Sequence, residues 1–278
     1  VNKIAMVTGA SRGIGRATAL AFAREGYDLV ISARSVADGT RHEHQVVAPD
    51  GTPLAGSLQA TAAAVEALGR KVWMIPLDLL DEASVGRAVE EVTTACGRVD
   101  VLVNNAIYQG ADLNHTFLDL SVDTLDRVWR GYVQGPVALT QGIARLMVAQ
   151  GAGVVVNVTS GAGERNPPVA ADKGGWGYAY GAGKAAVSRL AGILNVELGH
   201  RGLRAYTINP GVVSTEALQA TIGARGVAAL GGVAAPPEVP AEAIVWLARA
   251  DHAGRYTKDT VQAQTLALDH YLVSDWRK

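Results

Sequence analysis

Cysteine is nearly absent: Cys96 is the single one in 278 residues, so no disulfide can close within the chain and a reducing compartment is expected. Its own role is read as helix packing. An excess of charge is missing as well, with 25 basic against 26 acidic residues and a formal net charge of −1. That balance gives no global attraction to nucleic acid or to an anionic membrane. No apolar run reaches the roughly 20 residues that a membrane span needs. The apolar N-terminal stretch leads into a glycine turn, not into a signal-peptide cleavage pattern. A cytoplasmic protein acting on a small molecule is the expectation. Metal-ligand clusters are also wanting: His42 and His44 bracket Glu43 in a polar stretch, and with no supporting cluster no metal site is expected there.

What is present is apolar residues, 49% of the chain, enough for a full core, and at this length one α/β domain over 1–278 fits better than two. Ile4, Ala5, Met6 and Val7 form an apolar run without polar alternation, the pattern of a strand covered on both faces of a parallel sheet. A turn follows, Thr8-Gly9-Ala10-Ser11-Arg12-Gly13-Ile14-Gly15, and then Ile14, Ala17 and Ala21 recur on one helix face. Glycines let backbone N–H groups approach a pyrophosphate, and a helix N-terminus supplies unpaired donors and partial positive charge. The glycine spacing is not that of the tighter G-x-G-x-x-G fingerprint.

Further apolar runs predict strands at 29–32, 72–77, 101–103, 154–158 and 203–208, with a seventh near 260–263. Between them, helical periodicity appears around Ala60, Ala64, Ala67 and Leu68, from near Asp81, along Val187, Leu190, Leu194 and Leu198, and around Ile244, Leu247 and Ala248. The second strand ends at Ala33-Arg34, where a carboxylate would bind the ribose of NAD. A polar insertion spans 36–57, with Asp50-Gly51 between Val46, Val47 and Leu54 suggesting a small hairpin near the adenosine end of a cofactor. The segment 216–237, rich in Ala, Gly, Leu and Val, reads as part of a mobile substrate loop near 213–240.

The fifth strand ends in Thr159-Ser160, and Tyr180-Gly181-Ala182-Gly183-Lys184 follows. Four residues apart on a helix, the phenol and the ammonium share a face. A tyrosine hydroxyl near its ordinary pKa of about 10 is a poor base until a neighbouring cation stabilises the phenolate. Tyr178 competes as proton donor, but four residues on from it stands Ala182, so it is read as a pocket wall, with Trp176 beside it.

Taken in order, the turn from Thr8, the strand tipped by Ser160 and the Tyr180/Lys184 pair resemble the short-chain dehydrogenase/reductase family in its classical single-domain branch. The resemblance implies a doubly wound, mainly parallel Rossmann-like sheet with helices on both faces. It also implies an NAD(P)-dependent oxidoreductase interconverting a carbonyl and an alcohol. Tyr180 would be the acid/base, Lys184 its modulator and Ser160 the orienter of the substrate carbonyl. Implied cofactor contacts are Gly9, Ser11, Arg12, Ile14 and Gly15, then Arg34, Asp78 and Leu79, Asn105 and Ala106, Tyr180 and Lys184, and Pro210, Gly211, Val213 and Thr215.

In the family, a basic residue in the glycine motif and another after the second strand accompany a 2′-phosphate. Arg12 and Arg34 fill those places, which favours NADP(H) over NAD(H). Asp78 is expected at the adenine amino group, with a helix cap as the competing role. A largely apolar substrate is expected, Arg225 being the one charged group in 217–235. A homodimer or homotetramer through the helices carrying Tyr132 and Tyr180 is implied by the resemblance alone.

Two residues depart from the family pattern. Ile107 replaces a glycine after Asn104-Asn105-Ala106. Tyr132 holds the place of a catalytic asparagine whose main-chain carbonyl anchors a water joined to the lysine. Since Pro136 has no N–H to offer four residues on, the Tyr132 carbonyl is expected to be released for the same use. A nucleotide-sensing protein with lost chemistry, or a Rossmann-like methyltransferase, are the rival readings. The second of these has no use for Tyr180 and Lys184.

Overall fold

The computed structural model describes residues 2–229, 231, 233–249 and 254–277. Seven strands, β1 Ile4–Thr8, β2 Asp28–Ala33, β3 Val72–Pro76, β4 Val101–Asn104, β5 Gly153–Val158, β6 Leu203–Asn209 and β7 Thr260–Gln262, form one sheet in the order β3-β2-β1-β4-β5-β6-β7. Every pairing is parallel. Each crossover therefore needs a helix: α1 Gly13–Arg24, α2 Leu58–Ala67, α3 Glu82–Cys96, α4 Val122–Trp129, α5 Gly135–Gln150, α6 Tyr178–Leu198 and α9 Glu238–Ala248.

Both faces of the sheet are covered, which is why its strands read as apolar runs. In β2, Leu29 and Ile31 point into a core shared with Phe22, Ile244 and Leu247. Val30 points the other way, to Met6, Leu102, Leu139, Ile143 and Met147. Strand order reverses between β1 and β4, so the crossovers diverge there and leave a cleft along the carboxyl edge of the sheet. This is the doubly wound, Rossmann-like arrangement expected from the sequence.

Helix starts explain where the chain turns back to that edge. Ser57, Asp81 and Ser121 accept hydrogen bonds from the first-turn N–H groups of α2, α3 and α4. In α1 the capping residue is Arg12, with no side-chain cap, and no acidic residue occupies the first turn.

Two expectations change. The stretch read as a loop is helical over α7 Glu216–Thr221 and α8 Gly223–Ala229, because Thr215 Oγ1 accepts from Leu218 N at 3.2 Å and starts a helix on an alanine-rich segment. Ala263, read with the last strand, instead opens α10 Ala263–Asp269. In the insertion the hairpin reduces to one bridge, Val47 with Pro53, around a turn in which Gly51 N donates to Ala48 O at 2.8 Å. Among the described residues no helix is long and apolar enough to cross a membrane.

Candidate active site

At the carboxyl edge, β1 and β4 are stitched together by a side chain that sequence reading treated only as part of the glycine turn. Thr8 Oγ1 accepts from Asn105 N and Ala106 N, both at 3.0 Å, and donates to Val103 O at 3.1 Å. Asn105 Nδ2 donates to Thr8 O at 2.9 Å. Gly9 follows in the left-handed region at φ +69, where a Cβ would stand 2.8 Å from Asn105 Nδ2. Only glycine lets the turn lie this close to the end of β4. Below it, the uncapped start of α1 leaves N–H donors for an anion.

The cleft above this edge has a volume of about 650 Å³, and every residue expected from the sequence to be catalytic or to touch the cofactor lines it. They arrive from five places: Gly9, Ser11, Arg12, Ile14 and Gly15 from the glycine turn, Arg34 after β2, Asp78 and Leu79 after β3, Asn105 and Ala106 after β4, and Pro210, Gly211, Val213 and Thr215 after β6. Ser160, Tyr180 and Lys184 complete the wall.

Two of these residues do something that the sequence reading did not anticipate. Arg12 spends its guanidinium on backbone carbonyls, Nε to Ala55 O at 2.8 Å and Nη2 to Leu54 O at 3.0 Å and Gly56 O at 2.9 Å. Asp78 Oδ1 accepts from Leu80 N at 2.9 Å, while the cap of α3 is Asp81, whose Oδ1 accepts from Ala83 N at 3.0 Å. The competing role suggested for Asp78 thus belongs to its neighbour.

Ser160, Tyr180 and Lys184 meet at the other end of the cleft. Ser160 ends the chain's run out of β5 in an extended conformation and caps a short 3-10 turn, while Tyr180 and Lys184 stand one turn apart on α6. Lys184 Nζ donates to Val158 O at 2.9 Å. With only 3% of the residue exposed, burial lowers its pKa to about 7. Burial also raises the pKa of Tyr180, against which a hydrogen bond with Ser160 works. Burial thus outweighs any charge stabilisation of the phenolate, and both groups lean towards their neutral forms.

Tyr132 packs edge-on against Tyr180, ring centroids 6.4 Å apart at 88°, and lies under Lys184 Nζ at 5.8 Å from its centroid. It sits in a π-helical turn, Arg130–Gln134, that joins α4 to α5. There the Gly135 N–H reaches back to Arg130 O, a wider step than the α-helical one, immediately before Pro136 breaks the ladder. The buried Tyr132 hydroxyl and Asn157 Nδ2 have no hydrogen-bond partner among the described residues. Both residues border a small cavity of about 30 Å³.

Ile107, Leu113, Trp176, Leu218 and Ile222 also line the cleft, with Arg165 on the segment after Ser160. Arg225, expected there, has a side chain outside the described residues. Tyr178 is not a wall: it is exposed and stacks edge-on with Phe117, centroids 6.2 Å apart. A polar network unseen in the sequence anchors the loop after β4. Asp112 accepts from Tyr108 Oη at 2.5 Å and from Thr124 Oγ1 and Arg127 Nη2 at 2.6 Å. These three donors hold its carboxyl below the usual range against a burial cost.

Comparison with known proteins shows the family. The family described as short chain dehydrogenase matches residues 3–54 and 47–225, the two stretches overlapping inside the insertion. A sorbitol dehydrogenase of Cereibacter sphaeroides is 32% identical over 216 residues, covering 77% of this chain and 72% of that protein. A short-chain dehydrogenase/reductase of Armillaria gallica is 29% identical over 286 residues, covering 98% of this chain and 97% of its own. Among solved structures, a metagenomic short-chain oxidoreductase in complex with NADP superposes with a TM-score of 0.69 at 26% identity, over 94% of this chain and 96% of that one. With the glycine turn, the Ser160–Tyr180–Lys184 cluster and these relatives in agreement, the chain belongs to the short-chain dehydrogenase/reductase family of oxidoreductase enzymes.

Proposed function

We propose that this enzyme interconverts a carbonyl and an alcohol with NADP(H), with Tyr180 as the proton donor and acceptor, in one domain that carries the whole site. The observation that carries this reading is the convergence of Ser160, Tyr180 and Lys184 on one cleft that also receives the uncapped N-terminus of α1. The Gly9 close approach and those free N–H groups suit a pyrophosphate. Bound NADP(H) supplies or takes up the hydride. Ser160 Oγ holds the substrate oxygen. Tyr180 Oη gives that oxygen a proton in the reducing direction and recovers it in the oxidising one. Lys184, when protonated, would stabilise the phenolate and would hold the nicotinamide ribose. The Tyr132 carbonyl, which Pro136 cannot pair with, would carry a proton-relay water towards Lys184.

The preference for NADP(H) follows from the absence of a carboxylate at Ala33 and the presence of Arg34. It is supported by the NADP in the metagenomic relative. NADPH is expected to bind at least about tenfold more tightly than NADH, or about 1.4 kcal/mol. Fluorescence titration reads this directly. Equal dissociation constants, or a preference untouched in Arg34→Ala, would contradict it.

The substrate is read as a small carbonyl or alcohol with apolar flanks, set by Ile107, Leu113, Trp176 and Ile222. A homodimer or homotetramer is the proposed assembly, because α4 and α6 leave Val122, Trp129, Ile193 and Val196 exposed. Light scattering should give at least twice the chain mass. A monomer at working concentration would remove the assembly and leave the chemistry standing.

A further inference from the structure

The 36–57 insertion begins after Ser35, two residues beyond β2, and ends at Ser57, the cap of α2. Between these points it crosses the end of the cleft bounded by β2 and β3. On one side it is latched by the three Arg12 bonds to Leu54, Ala55 and Gly56. Gly56 is at φ +107, and a Cβ there would stand 2.5 Å from Ser11 O, so the returning segment lies directly on the glycine turn. On the other side Val46 N donates to Gln109 O, in the loop after β4, at 3.3 Å. Val46 and Leu54 are buried although the segment around them is polar, and both line the cleft. The insertion is thus a roof, pinned at the glycine turn and at the β4 loop.

The roof changes which cations are available beneath it. Arg12 Nη2 has Leu54 O, Gly56 O and Ser35 Oγ as partners, the last at 3.4 Å, so this guanidinium is engaged in holding the backbone. Arg34 makes one exposed bond of 3.3 Å, to Glu43 O, and keeps most of its donors. His42, from the roof itself, places Nε2 at 3.3 Å from Ser35 Oγ, and its backbone is fixed by His42 N donating to Gln45 Oε1 at 3.2 Å. Arg34, Ser35 and His42 all line the cleft where β2 ends. Ser35 Oγ and His42 Nε2 meet, and Arg34, next to Ser35 in the chain, is near enough for its charge to act on the imidazole; a cation, a hydroxyl and an imidazole so placed suit a phosphate.

We propose that the insertion is a built part of the cofactor site, in which His42, with Arg34 and Ser35, receives the adenosine 2′-phosphate while Arg12 holds the roof in place. The proposal rests on the NADP(H) reading given above. It moves the second phosphate ligand from the glycine turn to the insertion.

The imidazole is tuned for this. Burial, Arg34 and Arg12 lower the pKa of His42, and Asp78 opposes them, so the ring leans towards its neutral form without a phosphate. A dianionic phosphate at the same point favours the imidazolium. NADPH binding then takes up a proton, and its affinity rises as pH falls from about 8 to about 6. NADH, lacking the phosphate, does not share the rise.

The test is fluorescence titration of the full-length protein with NADPH and with NADH, in wild type, His42→Ala, His42→Gln and Arg12→Ala. In His42→Ala the NADPH dissociation constant should rise roughly tenfold, the loss of one hydrogen bond to a charged group, while that for NADH moves by less than about twofold. His42→Gln keeps a neutral donor and should retain part of the affinity but lose its pH dependence. Arg12→Ala releases the roof that carries His42, so it should weaken NADPH at least as much as His42→Ala does and, unlike His42→Ala, should weaken NADH more than about twofold as well. A His42→Ala protein that keeps the wild-type NADPH/NADH ratio overturns the proposal. So does an Arg12→Ala protein that keeps the wild-type affinity for NADPH. If the wild type itself binds NADH as tightly as NADPH, the cofactor reading fails and takes this assignment with it. The two failures are therefore distinguishable.

Discussion

Tyr180→Phe is expected to lower kcat by roughly 10²–10⁴-fold, the range a positioned general acid or base contributes, while NADPH still binds. The substitution removes one oxygen and leaves the ring that packs on Tyr132, so the fold and the cleft wall persist. The informative partner is Tyr132→Phe. The Tyr132 hydroxyl is buried without a partner among the described residues, and its ring supplies the contacts to Tyr180 and Lys184. Removing that oxygen should retain most activity. Steady-state kinetics on the two variants separates the roles. Comparable losses in both would show that the Tyr132 hydroxyl, rather than its backbone and ring, takes part in proton transfer.

Lys184→Met is expected to abolish most activity and to stabilise the protein. The first effect follows from losing the cation that stabilises the phenolate, a contribution of roughly 10²–10³-fold by comparison with other fixed electrostatic groups. The second follows from burial. The folded-state pKa of Lys184 is lowered to about 7, whereas an unfolded lysine keeps its proton to about pH 10.4. Between these values the unfolded chain binds more protons than the folded one. Stability therefore rises with pH across that window, and at neutral pH the buried lysine is a burden on the fold. Methionine carries no such burden and fills the same shape, so Tm at pH 7 should rise by at least about 2–4 °C, the shift of about 1 kcal/mol in a domain of this size. The gain should shrink towards pH 9.5, and a thermal melt series over pH reads both the rise and its decline. A Tm lowered equally at every pH would mean that the bond from Nζ to Val158 O outweighs the desolvation of the ammonium.

Such a cost is tolerated at a functional centre and would be hard to explain in a structural core. The same holds for the π-helical turn at Arg130–Gln134. It sets Tyr132 against α6 at the expense of regular helix geometry, immediately before a proline that interrupts the ladder.

Much of the fold was legible because its signals are local. Strands buried on both faces must be apolar throughout, so β1, β2, β5 and β6 stand out as short Val, Ile, Leu and Ala runs. The glycine turn and the Tyr180/Lys184 spacing are likewise set by neighbours in the chain. What escaped depends on contacts distant in sequence. Arg12 looked like a phosphate ligand because nothing in its neighbourhood reveals that residues 54–56 return to take its guanidinium. Asp112 gives no sign, as a lone acidic residue in a loop, that Tyr108, Thr124 and Arg127 will converge on it. Thr8 and Asn105 are 97 positions apart, yet they decide how closely β1 and β4 approach.

Residues 216–229 failed for a different reason. An Ala/Gly-rich stretch has weak amphipathic periodicity, and its two helices are too short to show one. Tyr178 was misplaced because helical periodicity gives a face but not what lies opposite it, which here is Phe117 at the surface.

The measurement that bears most directly on the central claim is turnover by the wild-type enzyme. NADPH consumption should be followed with a panel of apolar-flanked ketones, and NADP⁺ reduction with the matching secondary alcohols. The expected result is stoichiometric conversion of at least one pair in both directions. Tight NADPH binding without turnover of any member, in either direction, would contradict the claim and mark the cleft as a nucleotide-sensing site.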